Sequence, residues 1–168
     1  MDRLVAKAIG WYGKLPARGD FVGRGLPGAW LRIWDDWLQR GLAGAALHWG
    51  EGFHERLLAM PPWHFVVLAQ QPDHPSWCAA VVASADRVGR AYPLVLAQAY
   101  DAAVLDGVAL AQVQTRGRCL VRWLKGARGV FSPNEFERYA MRWAATPWVS
   151  APPSAAQAED DVASLRRR

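Results

Sequence analysis

The pattern of apolar and polar residues predicts a strand, a loop and a helix in the first third of the chain. Ala6 to Leu15 is typical of a strand, whereas Pro16 to Gly28 is rich in proline, glycine and charge and is expected to be a loop. From Trp30 onward, apolar residues recur at helical spacing with charged residues opposite them, which predicts an amphipathic helix. Glycines between Gly41 and Gly52 are expected to interrupt it, before a second helical piece from Glu51 to Met60.

Three nearly continuous apolar runs in the middle of the chain predict strands: Trp63 to Gln70, Trp77 to Ser84 and Tyr92 to Tyr100. Such runs are typical of strands covered on both faces, so helices are expected on each side of the sheet. The predicted fold class is therefore α/β, with a three-layer α/β/α sandwich around a mainly antiparallel or mixed sheet of about four to six strands.

Two helices are predicted after the last strand. Asp101 is expected to cap a long helix that extends to about Lys125 with a break near Gly117. The sequence Ser132-Pro133-Asn134-Glu135 is a capping box with proline at the first helical position, and it predicts the start of the last helix. That helix is expected to face inward through Phe136, Tyr139, Ala140 and Trp143.

Length and composition favour one globular domain, placed at residues 1–149, followed by a disordered tail at 150–168 that is rich in Ala, Pro and Ser and then in charge. Cys78 and Cys119 are the only cysteines and are expected to be buried, reduced thiols; no metal site or cofactor is predicted. The N-terminus lacks the pattern of a signal peptide and no apolar run could span a bilayer, so we expect a cytoplasmic protein without membrane insertion. The net charge of +5 is weaker than that of a dedicated nucleic-acid binder.

Arginine-rich loops are the candidate functional segments. Arg18, Asp20, Phe21 and Arg24 lie in the loop before the first helix, where they form either a salt-bridged structural loop, with Asp20 paired to Arg18 or Arg24, or a contact surface for a partner. A second polar segment, with Asp86, Arg87 and Arg90, joins two predicted strands; it is either a solvated hairpin or one charged cluster with the first loop. A secondary basic face is predicted on one side of a helix, at Arg118, Arg122 and Lys125.

Motifs of known catalytic chemistry are absent from the sequence. Gly23 to Gly28 reads G-x-G-x-x-G before a helix, but no strand directly precedes it and no acid follows at the required distance, so the glycines are better explained as a tight loop. Asp35 and Asp36 are adjacent and point in different directions on a helix. No catalytic residues are assigned, and two alternatives stay open: an anion- or nucleotide-binding domain, and a small hydrolase whose site is assembled across the fold.

Two separated blocks of sequence resemble the TagF (ImpM) family. The first block is Gly10-Trp11-Tyr12-Gly13-Lys14-Leu15-Pro16-Ala17-Arg18-Gly19-Asp20-Phe21-Val22, followed by Arg24-Gly25-Leu26-Pro27 and Trp34-Asp35-Asp36-Trp37-Leu38-Gln39. The second is Asp86-Arg87-Val88-Gly89-Arg90 before Tyr92-Pro93-Leu94. The resemblance extends from about Ile9 to Gln98.

The resemblance implies a function outside catalysis. TagF proteins are accessory proteins of the bacterial type VI secretion system that act after translation, typically as repressors of its assembly or firing. It also implies an α/β/α sandwich and a forkhead-associated scaffold protein as partner, with sheath components as further candidates. Carried over to this chain, it points to Lys14, Arg18, Asp20 and Phe21 in the first block, and to Asp86, Arg87 and Arg90 in the second.

Overall fold

The computed structural model describes residues 4–69, 74–102, 106–127 and 132–146. Its strands and helices are β1 (Leu4–Lys14), β2 (Phe21–Arg24), α1 (Gly28–Trp49), α2 (Phe53–Leu58), β3 (Trp63–Val67), β4 (Ser76–Val82), β5 (Leu94–Ala102), α3 (Gly107–Ala127) and α4 (Pro133–Ala144). A short 3₁₀ turn, Gly50–Gly52, lies between α1 and α2. None of the helices in these ranges combines the length and hydropathy that crossing a membrane requires.

The five strands form one antiparallel sheet in the order β2-β1-β5-β4-β3. β1 and β5 pair although they lie far apart in sequence, and Tyr12 near the end of β1 lies opposite Val95 near the start of β5. The edges of the sheet are β2 and β3. The predicted α/β class and the mainly antiparallel sheet are confirmed, and the number of strands lies in the expected range.

Alternate residues of β4 and β5 contribute to two separate apolar clusters, as expected where side chains point to opposite faces of a sheet. Even-numbered positions pack with α3 and α4, through side chains that include Leu120, Trp123, Phe136, Tyr139 and Trp143. Odd-numbered positions pack with Trp34 and Leu38, the only buried residues among the 22 of α1. Since α1 is mostly exposed, the complete layering of a three-layer α/β/α sandwich stays a prediction.

The expected interruption of the first helix is wrong. α1 continues without a break through Gly41 and Gly44 and ends only at Trp49, with Gly50 as its C-cap at φ 52°. A glycine inside a helix costs about 1 kcal/mol relative to alanine, which a helix of six turns tolerates. The stop is made by Gly50, because its positive φ is readily adopted only by glycine.

The predicted cap and break of the following helix are also wrong. β5 extends beyond Asp101 to Ala102, and α3 is capped by Asp106, whose Oδ1 accepts hydrogen bonds from the backbone N–H groups of Val108 (3.0 Å) and Ala109 (2.9 Å). α3 passes through Gly117 unbroken. Glycine is required there because a Cβ would lie 2.5 Å from the His64 ring of β3.

The last helix agrees with the sequence. Ser132 and Glu135 form the predicted capping box of α4, and Phe136, Tyr139, Ala140 and Trp143 are buried. The loop predicted from Pro16 to Gly28 contains a short strand, β2, which extends the sheet beyond β1. The predicted tail at 150–168 lies outside the described residues.

Candidate interaction site

The two arginine-rich loops lie side by side because β1 and β5 are neighbours in the sheet. The first loop leaves the end of β1, and the second, residues 83–93, enters β5. The backbone N–H of Arg87 donates to the carbonyl of Arg18 (2.8 Å), and the Ser84 hydroxyl donates to the carbonyl of Lys14 (2.7 Å). The two segments, far apart in sequence, therefore form one continuous surface.

A buried carboxylate holds this pair of loops in shape. Asp86 accepts hydrogen bonds from Lys14 Nζ (2.9 Å) and Arg90 Nε (2.7 Å) through Oδ2, and from the backbone N–H groups of Val88 and Arg90 through Oδ1. Burial alone would raise the pKa of Asp86, but these donors outweigh it and hold the pKa well below its usual range. Arg90 also donates to the carbonyl of Gly19, which links the second loop to the first.

The surface of the two loops is therefore held in its conformation by the ion pairs of Asp86 with Lys14 and Arg90. Lys14 and Asp86 are buried, and Arg90, although exposed, holds Asp86 and Gly19. Both oxygens of the carboxylate are occupied, so a partner would not find them free. The predicted charged cluster of the two loops is present, with its ion pairs directed inward.

An aromatic group lies beside this cluster and connects it to α1. Phe21 stacks on Tyr12 (ring centroids 5.6 Å apart) and meets the edge of Tyr92 (4.6 Å), with Lys14 Nζ 5.2 Å from its ring centroid. The Tyr92 hydroxyl donates to Asp35 of α1 (2.7 Å), and burial together with this bond raises the pKa of Tyr92 above its usual range. Sequence reasoning assigned Tyr92 and Asp35 no role, although both lie inside the two blocks.

A polar cleft opens on the outer side of the loops, and we call it the arginine cleft. Its volume is about 590 Å³, and it is lined by residues that include Arg18, Asp20, Arg24, Arg87 and Asn134. Asn134 is in the first turn of α4, where backbone N–H groups favour negative charge. The predicted residues of the two loops thus divide into an inner brace and this outer cleft.

The arginines of the cleft differ in what they bind. Arg24 forms an ion pair with Glu137 and donates to Asn134 Oδ1 (3.0 Å), so the predicted pairing of Asp20 with Arg24 is not seen. Among the residues that the structure describes, no carboxylate pairs with the guanidinium group of Arg18 or of Arg87. Both side chains are exposed, so they are available to an acidic ligand.

The glycine-rich loop serves packing. Gly25 has φ 76°, and a Cβ there would lie 2.4 Å from the carbonyl oxygen of Ile9; a Cβ at Gly10 would lie 2.5 Å from the backbone of Gly25. The glycines allow the chain to pass closely over β1 before α1 begins, as a tight loop requires. Among the segment Gly23 to Gly28, the arginine cleft is lined only by Gly23 and Arg24.

The secondary basic face lies elsewhere on the molecule. Arg118 and Lys125 are exposed on α3 and Arg122 is half-buried, and none of the three lines the arginine cleft. Their neighbour Arg116 is almost fully buried, where it donates to Gln98 Oε1 (2.7 Å) and to the carbonyl of Trp143 (2.6 Å). Arg116 therefore holds α3, β5 and α4 together.

Asp35, Asp36 and the described lining of the arginine cleft form no arrangement typical of hydrolysis. Asp35 accepts from Tyr92 and Gln39, whereas Asp36 pairs with Arg40 (2.8 Å). Among the residues that the structure describes, those that line the arginine cleft include no serine, cysteine or histidine. A nucleophile–base pair of the kind that acyl transfer needs is therefore not formed by its lining.

One comparison with known proteins identifies a family, and a second identifies a similar fold. A family model described as the TagF N-terminal domain, type VI secretion system-associated, matches residues 10–126, which is more than half of the chain. Among solved structures, PA0076 from Pseudomonas aeruginosa PAO1 has a similar fold, with a TM-score of 0.62 and 25% sequence identity over 94% of this chain and 78% of that one. No curated protein matched the chain. The matched region contains both loops and α1, and the chain belongs to the TagF family of proteins associated with type VI secretion.

Proposed function

We propose that this chain is a non-enzymatic regulator of type VI secretion that acts in the cytoplasm after translation. In this proposal it binds a forkhead-associated scaffold protein of the same system and thereby represses assembly or firing of the apparatus. Membership of the TagF family supports the link to secretion. The lining of the arginine cleft, as far as the structure describes it, contains no nucleophile–base pair, and this supports a binding role over catalysis.

The observation that carries the proposal is the bond between the two loops. Because Arg87 N–H donates to the Arg18 carbonyl at 2.8 Å, the two sequence blocks shared with the family present their exposed arginines together. Phe21, 45% exposed, adds an aromatic side chain to the same surface. Arginine and aromatic side chains are enriched at binding hot spots, and a surface braced by a buried ion pair loses little entropy on binding.

The charge of the cleft indicates an acidic contact on the partner. Arg18 and Arg87 line it, and neither has a carboxylate partner among the described residues, so they pair with acidic side chains of the scaffold. Sheath components are the second candidates for this surface.

Affinity capture with charge-reversed variants tests the proposal. Arg18→Glu and Arg87→Glu are each expected to lose capture of the scaffold, because a carboxylate would face an acidic partner surface. Arg118→Glu is the matched control, since it reverses an exposed arginine on α3 outside the cleft. Loss of capture with Arg118→Glu alone would move the interface to the secondary basic face and refute the role of the loops.

Phosphorylation of this chain is not needed for the proposed complex. Forkhead-associated domains recognise phosphothreonine, and the chain contains only Thr115 and Thr146. Thr115 lies within α3, and Thr146 follows α4 outside the arginine cleft. We expect Thr146→Ala to retain full binding in the same capture assay; a loss of binding would contradict this part of the proposal.

A second candidate function is the binding of a small anion in the arginine cleft. It is favoured by the lining of the cleft, which contains Arg18, Arg87 and the first turn of α4. Thermal-shift measurements with nucleotides and phosphorylated metabolites distinguish the two functions. Stabilisation by such a compound, lost in Arg87→Glu, would establish this second function.

A further inference from the structure

An apolar groove lies at the β3 edge of the sheet, whereas the arginine cleft lies at the β2 edge. It has a volume of about 810 Å³ and lies between α1 and β3, with walls that include Ile33, Trp37, Trp63, Phe65 and Val67. Four of these side chains are largely exposed: Ile33 (73%), Trp37 (61%), Trp63 (58%) and Val67 (43%). Large apolar side chains grouped on a surface in this way mark an interaction site.

The strand that forms one wall of the groove is also an unprotected sheet edge. In the part of the chain that the structure describes, β3 is the last strand of the sheet, so the backbone groups on its outer side have no strand beside them. Its sequence, Trp-His-Phe-Val-Val, contains no lysine, proline or acidic residue, the devices by which proteins usually block edge pairing. The other edge, β2, is four residues long and ends at Arg24, which is paired with Glu137 of α4.

We propose that the chain forms a two-fold symmetric dimer in which β3 of one copy pairs antiparallel with β3 of a second copy. Pairing centred on Phe65 would use all five residues of the strand and place Trp63 opposite Val67 of the other copy. The sheet would then continue through both copies, and the two apolar grooves would meet on the α1 side. Because each copy has one such open edge, the assembly closes at two copies.

The exposed area fits a second copy. With about 150–250 Å² for a tryptophan, the four exposed side chains present on the order of 500 Å². Two copies would cover about 1,000 Å² of apolar surface. Together with the surface of the paired backbone, this area reaches the lower range of stable interfaces. The antiparallel pairing satisfies the outer backbone groups of both strands at once.

The distribution of charge also favours self-association at this surface. Each copy carries a net charge of +5, so two copies repel one another over most of their surfaces. The groove, by contrast, is lined by one acid and one arginine, Asp36 and Arg40, which pair with each other at 2.8 Å. Two grooves can therefore meet without facing like charges.

Sedimentation velocity over a range of protein concentrations tests the dimer. The wild-type chain is expected to sediment as a dimer that dissociates on dilution, and Val67→Lys is expected to weaken the association by at least about tenfold, since it places a charge at the apolar interface. Val108→Lys is the matched control, because Val108 is an exposed valine of α3 (57%) outside the groove. The proposal would be overturned if the wild-type chain stayed monomeric or formed larger aggregates, or if Val67→Lys remained fully dimeric. A monomeric wild-type chain would indicate that the groove binds a different protein.

Cross-linking gives a second readout that does not depend on a charge in the strand. In the double variant Trp63→Cys/Val67→Cys, facing cysteines of the two copies are close enough for intermolecular disulfides, and the native Cys78 and Cys119 are buried. Oxidation is expected to give a covalent dimer, whereas Val108→Cys gives none. Absence of the covalent dimer in the double variant would contradict the pairing.

Discussion

Replacement of Arg116 by methionine is expected to destabilise the protein although Arg116 is not part of the arginine cleft. Its side chain is only 2% exposed and links three elements of the fold. It donates to Gln98 Oε1 of β5 (2.7 Å) and to the carbonyls of Trp143 (2.6 Å) and Thr146 (3.3 Å) at the end of α4. Methionine has a similar length but no donor, so it would leave these acceptors without the guanidinium.

The size of the effect follows from the acceptors that are left behind. Gln98 is fully buried, and a buried acceptor without a donor costs about 1–3 kcal/mol. The carbonyl of Trp143 still accepts from the N–H groups of Ala145 and Thr146, so its loss is smaller. Burial lowers the pKa of Arg116 to about 10, and removal of this desolvated charge offsets part of the loss. A net loss of about 1–3 kcal/mol is expected.

Urea unfolding followed by circular dichroism measures this difference. Arg118→Met is the control on the same helix, because Arg118 is exposed and donates to Thr115 Oγ1 (2.9 Å) on the helix surface. The control is expected within about 0.5 kcal/mol of the wild-type protein. A stability of Arg116→Met within that same range, with an unchanged denaturant dependence, would refute the argument from buried acceptors.

Three further predictions concern packing, thiol reactivity and pH. Gly25→Ala is expected to lower the free energy of unfolding by about 1–3 kcal/mol, because the residue has φ 76° and the added Cβ would clash with β1. Gly44→Ala is expected to raise the free energy of unfolding by about 0.5–1 kcal/mol, because Gly44 lies inside α1 and an added Cβ would meet no other atoms. Urea unfolding of both variants checks this. Burial raises the pKa of Cys78 to about 12 and also that of Cys119, so neither thiol should react with a disulfide reagent at about pH 8 until the protein unfolds, and rapid labelling of the native protein would show this to be wrong. The pKa of Asp86 is lowered in the folded protein, so its ionised form stabilises the fold at pH values above its unfolded pKa of about 3.9, and this stability is lost as the pH falls below that value. Asp86→Asn should therefore have a lower free energy of unfolding at pH 7, and its free energy of unfolding should decrease less in acid. An acid dependence of stability equal to that of the wild-type protein would contradict this.

Elements with local signals could be predicted from the sequence. Ser132 and Glu135 formed the expected capping box because both partners lie within one turn of the same helix. The apolar runs of β4 and β5 predicted strands buried on both faces, and their alternate residues do enter two clusters. Such signals are contained in a few consecutive residues, which makes them visible without the fold.

Elements decided by distant contacts could not be predicted. Asp101 and Asp106 are equally suited to cap a helix, but pairing with β1 extends β5 beyond Asp101 and leaves the cap to Asp106. Gly117 looked like a helix break, whereas its lack of a side chain accommodates His64 of β3. The strand β2 is short and charged, and it forms because β1 offers it a partner.

The sequence named the residues of the two loops, but it did not show how they are arranged in the fold. Asp86 and Lys14 were expected at a contact surface, but they are buried and paired with each other, and a contact between residues so far apart in sequence has no local signal. Arg18 and Arg87 meet through a backbone bond that also has no sequence signal. The hydrogen bond from Tyr92 to Asp35 could not be predicted for the same reason, because the two residues lie on different elements of the fold.

The most direct test of the proposed surface is the affinity of the purified chain for the forkhead-associated scaffold, measured by calorimetry for wild type, Arg18→Glu, Arg87→Glu and Arg118→Glu. The account predicts that each reversal in the arginine cleft weakens binding by at least about tenfold and that the reversal on α3 leaves it unchanged. Equal affinity for all four proteins, or no binding of the wild-type chain, would contradict it.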